Sequence, residues 1–123
     1  MKESLAKAEE ALKAAVLCLE NGLCDSGASR CYYATFWAAI ATLEWVGYPP
    51  QRWSHGGLST VFGKELVKKR HLFSPGLAER LSIGYDLRRL ADYGRQGISE
   101  KKARRALDWA GKFVARAKEV IGQ

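Results

Sequence analysis

The chain has 123 residues, 47% of them hydrophobic and 27% charged, which is the composition of one globular domain over residues 1–123 with a core of its own. That length removes the need for a metal or disulfide staple. The longest uncharged run, the 13 residues from Cys31 to Leu43, is too short to cross a bilayer, so no membrane role is expected.

The net charge of +7 is unevenly spread. Residues 1–50 hold four Lys/Arg against six Asp/Glu, residues 51–94 eight against four, and residues 95–123 eight against three. The basic C-terminal part favours acidic partners such as nucleic acid, nucleotide phosphates or an acidic protein. A solvated, solubilising helix face would carry the same charge.

The pattern along the chain is helical. Ser4 stands as the N-cap of a first helix, in which Leu5, Ala8, Leu12, Ala15, Val16 and Leu19 recur at three- and four-residue spacing. Asn21-Gly22 closes it. Asp25 or Ser26 caps a second helix that runs to about Val46, where Gly47-Tyr48-Pro49-Pro50 stops it. On this helix Tyr32, Phe36, Ala39, Ile40 and Leu43 form a core stripe. Arg30, Tyr33 and Trp37 form a second stripe, offset by roughly a quarter turn.

His55-Gly56-Gly57 leads into a short third helix over Leu58 to Val67, with His55 placed to cap it. Lys68 to Pro75 is a connector. A fourth helix starts near Pro75, a residue suited to the first turn, and continues to Tyr93. Gly94 to Gly97 break it, and Ser99 caps a fifth helix that reaches Ile121. No segment alternates as a strand does. The expected fold is an all-α, up-and-down antiparallel bundle of four to five helices.

Cys18, Cys24 and Cys31 are odd in number and fit no zinc spacing, so they read as small buried hydrophobes in a reducing cytosol. The opening Met1-Lys2-Glu3-Ser4 passes straight into amphipathic repeat, and a cytoplasmic chain without a secretory leader is expected.

Polar chemistry gathers in two places. On the fourth helix Arg88 and Asp92 share a face, and Tyr85 lies one turn earlier. Asp92 is able to hold a guanidinium, either Arg88 or, across the bundle, Arg30. The predicted cluster is Arg30, Tyr33, Arg88, Asp92 and Tyr93. It reads either as a paired polar network fixing helix register or as a pocket whose arginines take phosphate while its aromatics stack on a base. His55 and His71 are weaker candidates for acid–base chemistry, since Arg52 and Arg70 stand near them. There is no phosphate-binding glycine loop and no His/Cys/carboxylate cluster, so neither cofactor nor metal is expected.

These motifs taken together resemble the HEPN domain (higher eukaryotes and prokaryotes nucleotide-binding). The resemblance rests on Ala28-Ser29-Arg30-Cys31-Tyr32-Tyr33-Ala34-Thr35-Phe36, then His55-Gly56-Gly57, Phe62, and Arg88-Arg89-Leu90-Ala91-Asp92-Tyr93. It implies a small helical bundle, often a homodimer, of the stand-alone prokaryotic type. Such proteins are commonly paired with a minimal nucleotidyltransferase as toxin–antitoxin modules, and many are metal-independent ribonucleases. The family's ribonucleases carry an arginine followed, after four to six residues, by a histidine. This chain has no such pair, and Trp37 stands where relatives often have histidine. The reading is therefore a module that binds nucleotide, RNA or a nucleotidyltransferase partner. A ribonuclease toxin and a non-catalytic dimeric interaction protein are the alternatives.

Overall fold

The computed structural model describes residues 1–122, and among them every regular element is helical. The helices are α1 (Lys2–Glu20), α2 (Cys24–Trp45), α3 (His55–Phe62), α4 (Pro75–Ala78), α5 (Arg80–Tyr93) and α6 (Glu100–Ile121). Between α3 and α4 the chain takes a wide π-helical turn over Gly63–Lys69. The all-α bundle expected from the sequence is what forms. Among the described residues no helix is long and apolar enough to cross a membrane.

Helix α2 is the axis of the molecule. Helices α1, α5 and α6 pack against it, whereas α5 and α6 barely touch one another. This explains its long uncharged run: a helix covered on most sides has little surface on which to place charge. Ala34, Ala38, Ala39, Ala41 and Leu43 are all fully buried.

Small residues set the α1–α2 spacing. Ala8, Ala11 and Ala15 meet α2, and a Cβ on Gly27 would lie 2.9 Å from Leu19 Cδ2. The turn between these helices is a Schellman motif. Leu23 N–H donates to Cys18 O, Gly22 N–H donates to Leu19 O, and Gly22 takes the required positive φ of 73°. Helix α2 ends in the same way, through Tyr48 N–H to Leu43 O, Gly47 N–H to Glu44 O and a φ of 116° at Gly47. Asn21-Gly22 and Gly47 therefore stop their helices as expected.

Helix α6 closes the core with one apolar stripe, in which Phe113 packs against Phe62 and Phe73 with ring centroids 5.6 and 5.1 Å apart. Ser99 caps it by accepting from Lys102 N–H at 3.2 Å.

Several boundaries differ from expectation. Ser4 is not a cap: Met1 occupies that position, and the buried Ser4 hydroxyl donates to Glu44 Oε1 at 2.8 Å, joining α1 to the far end of α2. Helix α2 begins at Cys24 with Leu23 as its cap residue. Asp25 instead accepts from Ile98 N–H at 2.7 Å and ties the α5–α6 loop to the start of α2. Helix α3 starts at His55, and Ser54 caps it by accepting from Gly57 N–H. The fourth predicted helix is interrupted at Glu79, where Ser82 N–H and Ile83 N–H both bond to Glu79 O. Of the cysteines, Cys31 is buried as expected, while Cys18 and Cys24 are only half-buried.

Candidate functional site

The predicted cluster assembles on the face where α2 and α5 meet. Tyr33 is its centre. The Arg30 and Arg88 guanidinium carbons lie 4.7 and 5.5 Å from its ring centroid, and Arg88 also lies 5.8 Å from that of Tyr93. Cations over aromatic faces at such distances are attracted by the ring quadrupole. Asp92 takes Arg88 rather than Arg30 as its partner, with Nε and Oδ2 3.0 Å apart. The Nε–H does not point along that line, so Nε has no directed hydrogen bond and the contact is a charge pairing. Burial works against the Arg88 charge. Tyr33, Asp92, Tyr93 and Tyr32 outweigh it and hold the guanidinium above its ordinary range.

All five predicted residues are thus brought together, and Arg30 remains exposed with no ion pair among the described residues.

The structure adds three side chains from the adjoining aromatic layer. Tyr32, assigned to the core by its spacing, is indeed buried, but its hydroxyl lies 3.0 Å from His55 Nδ1. The His55 ring stacks on Tyr85, with centroids 3.9 Å apart and planes 8° from parallel. Arg89 stands over the same Tyr85 ring at 5.9 Å. Burial, with help from Tyr33 and Tyr85, pushes the Tyr32 hydroxyl well above the usual phenol range. Burial also pushes His55 below its ordinary value, although Asp86 pulls the other way. The Tyr32 hydroxyl and His55 Nδ1 share one hydrogen bond, its direction set by the imidazole tautomer.

Gly84 lies against this layer, with room for an ordinary Cβ contact. A Cβ there would stand 3.5 Å from Tyr32 Cδ1, so α5 approaches α2 closely just before Tyr85.

Two residues lie away from the cluster. Trp37 does not join the cluster: Lys7 of α1 lies 5.1 Å from its ring centroid, and Phe36 packs edge-on against it at 5.8 Å. His71 stands apart in the connector beyond the wide turn, exposed and with a positive φ of 54°. Of the two histidines, only His55 reaches the site.

No three His, Cys, Asp or Glu side chains among the described residues converge as a metal would require. The site can therefore offer guanidinium groups, ring faces and one neutral imidazole.

The HEPN domain model matches residues 1–120. The protein of Methanocaldococcus jannaschii named "Putative toxin MJ0605" is 32% identical over 114 residues, covering 93% of this chain and 83% of the relative. A UPF0332 protein of Gloeobacter violaceus is 32% identical over 120 residues, covering 95% of this chain and 92% of the relative. A UPF0332 protein of Pyrococcus horikoshii is 38% identical over 77 residues, covering 63% and 49%. With the fold, the Arg30 and Arg88 elements and a match over nearly its full length all in agreement, the chain belongs to the HEPN domain family.

Proposed function

We propose that this HEPN module binds a nucleotide or an RNA segment at the α2–α5 face and works beside a minimal nucleotidyltransferase in a toxin–antitoxin pair. The observation that carries the reading is the placement of Arg30 and Arg88 around the Tyr33 ring, at 4.7 and 5.5 Å. Two guanidinium groups provide forked donors for phosphate oxygens, and the tyrosine rings provide faces on which a base can stack. The toxin name carried by a relative supports the toxin side of the pair. The setting is the cytoplasm, as a homodimer formed over Val16, Leu17 and Leu23, which are exposed. Titration of the full chain with ATP and with short RNA, before and after Arg88→Ala, tests the binding. Saturable binding that Arg88→Ala weakens supports it, and no binding of either ligand by the unaltered chain overturns it. Light scattering tests the dimer.

One observation favours metal-independent ribonuclease activity as a second reading. His55 is hydrogen-bonded to Tyr32 and stacked on Tyr85, the ring that also carries Arg89, which suits an acid–base group near a donor for a phosphorane. RNA cleavage in the presence of chelator, lost in His55→Ala, would select it. Binding without cleavage would leave the first reading.

A further inference from the structure

Between α5 and α6, which share little contact, lies a cleft of about 390 Å³ lined by none of Arg30, Arg88 or Asp92. That volume is in the range of small-molecule sites. Its floor is Cys31 and Thr35 of α2, both buried, and its walls are Ile83, Leu87 and Leu90 of α5 against Trp109 of α6. Ile83 and Leu90 are 41% and 57% exposed, so this apolar wall lacks a covering element of the chain.

The rim is net cationic, three cations against the one carboxylate of Asp86. Arg80, Lys102 and Arg105 all line it, and none of the three forms an ion pair with a carboxylate among the described residues. Several other surface cations do pair: Arg104 with Glu100, Lys112 with Asp108, Lys118 with Glu9. Arg80 is nevertheless held in place, its guanidinium carbon 4.4 Å from the Trp109 ring centroid. Stacking uses the face of the guanidinium and leaves its N–H edge available. Burial, and then the repulsion of Arg105, both disfavour the Arg80 charge, with Glu79 opposing them. Two like charges gathered over an apolar floor, one of them pinned by an aromatic ring, are complementary to a single anionic group on an apolar body.

We propose that this cleft binds a small amphipathic organic anion, its apolar body against Trp109 and Leu87 and its carboxylate or phosphate between Arg80 and Arg105. The cleft adjoins the candidate site through Tyr32, but its proposed anion contacts use none of Arg30, Arg88 or Asp92 and do not depend on the nucleotide reading.

The full chain is titrated with 8-anilinonaphthalene-1-sulfonate as a fluorescent probe. Decanoate and decyl phosphate serve as competitors below their micelle thresholds, and sodium sulfate as the anion without a body. The Trp109 indole N–H is followed by NMR and assigned through Trp109→Phe. The expected result is one saturable site, displacement by the two decyl compounds but not by sulfate, and a ligand-dependent shift of the Trp109 resonance. Arg105→Glu should weaken binding at least about tenfold, and Arg80→Gln should act in the same direction. Lys64→Glu, an equal charge change on the π-helical turn, should leave affinity within about twofold by the same scale. Relative strengths of decanoate and decyl phosphate tell which head group fits. Probe binding that ignores both arginine variants, or a Trp109 resonance that moves with protein concentration instead of ligand because a second copy fills the cleft, overturns the proposal.

Discussion

His55 and Tyr85 stack almost parallel, 3.9 Å between centroids, although they belong to helices that otherwise share little contact. The stack places the imidazole between α5 and the Tyr32 hydroxyl, and it makes the start of α3 part of the site. Charging this ring would place a cation in a half-buried aromatic sandwich.

The pH dependence follows. His55 is lowered by burial from its ordinary 6.5, so the unfolded chain takes up the proton first as the pH falls. The stabilisation is complete above about pH 6.5 and is lost as the pH drops through the lowered folded value. Asp86, the one carboxylate that opposes the shift, limits its size. Melting temperature measured from pH 7.5 to 5 should fall, and His55→Asn should flatten that slope. An unchanged slope would show that His55 does not titrate out of register with the unfolded chain.

Arg88→Ala separates binding from folding. Its pairing with Asp92 leaves both side chains partly in solvent, 20% and 32% exposed, so removal should change stability by no more than about 1 kcal/mol. Binding of nucleotide or RNA phosphate should weaken about 10- to 100-fold, the usual cost of losing charge-assisted hydrogen bonds. Calorimetric titration beside thermal melting reads both quantities from one variant.

Two glycines should respond in opposite directions to alanine. At Gly27 the new Cβ meets the buried Leu19 side chain at 2.9 Å, where α1 and α2 are closest, and a cost of about 1–3 kcal/mol is expected. At Gly111, inside α6, the Cβ meets nothing within 4 Å, and a gain of about 0.4–1 kcal/mol is expected from helix propensity and a less flexible unfolded chain. Urea unfolding at constant m-value distinguishes them.

Phe113 is fully buried between Phe62 and Phe73, so Phe113→Ala should cost about 3–5 kcal/mol. Domains of this kind have only about 5–15 kcal/mol in total, and the variant should melt far below the parent.

The thiol of Cys31 is pushed up to about 12 by burial and by Cys18. It should resist iodoacetamide at pH 8 in the native protein and react on unfolding, because the thiolate is the reactive form. Peptide mapping after brief alkylation checks this, with the half-buried Cys18 and Cys24 as internal comparison.

The sequence carries the fold well because each helix has its own local signals. Asn21-Gly22, Gly47 and Ser99 are local punctuation, and their spacing alone locates three helix ends. The Arg30–Arg88 cluster was legible for a related reason, since Arg88 and Asp92 are one turn apart and Tyr33 follows Arg30 on the same helix. His55 was harder to place. Its bond to Tyr32 spans 23 residues and depends on where α3 lands, which no periodicity encodes. Trp37 shares the helical stripe of Arg30 and Tyr33, yet Lys7 of α1 lies over its ring, a contact that spacing along α2 does not encode. The π-helical turn at Gly63–Lys69 had no signal either. It surrounds Glu65, a buried carboxylate 3.9 Å from Lys69 and 3.7 Å from Arg70, four and five residues further along the chain.

Because α5 is fastened to the body almost entirely through α2, it is the long helix that can peel away at least cost. Arg88, Asp92, Tyr85 and Tyr93 would leave with it, while the α1–α2–α6 core stayed folded. In hydrogen-exchange terms α5 amides should open at a free energy below that of global unfolding, and α2 amides only with the whole molecule. A ligand gripping both Arg30 and Arg88 would then slow α5 exchange selectively, so that occupancy of the site could be read from the breathing of one helix.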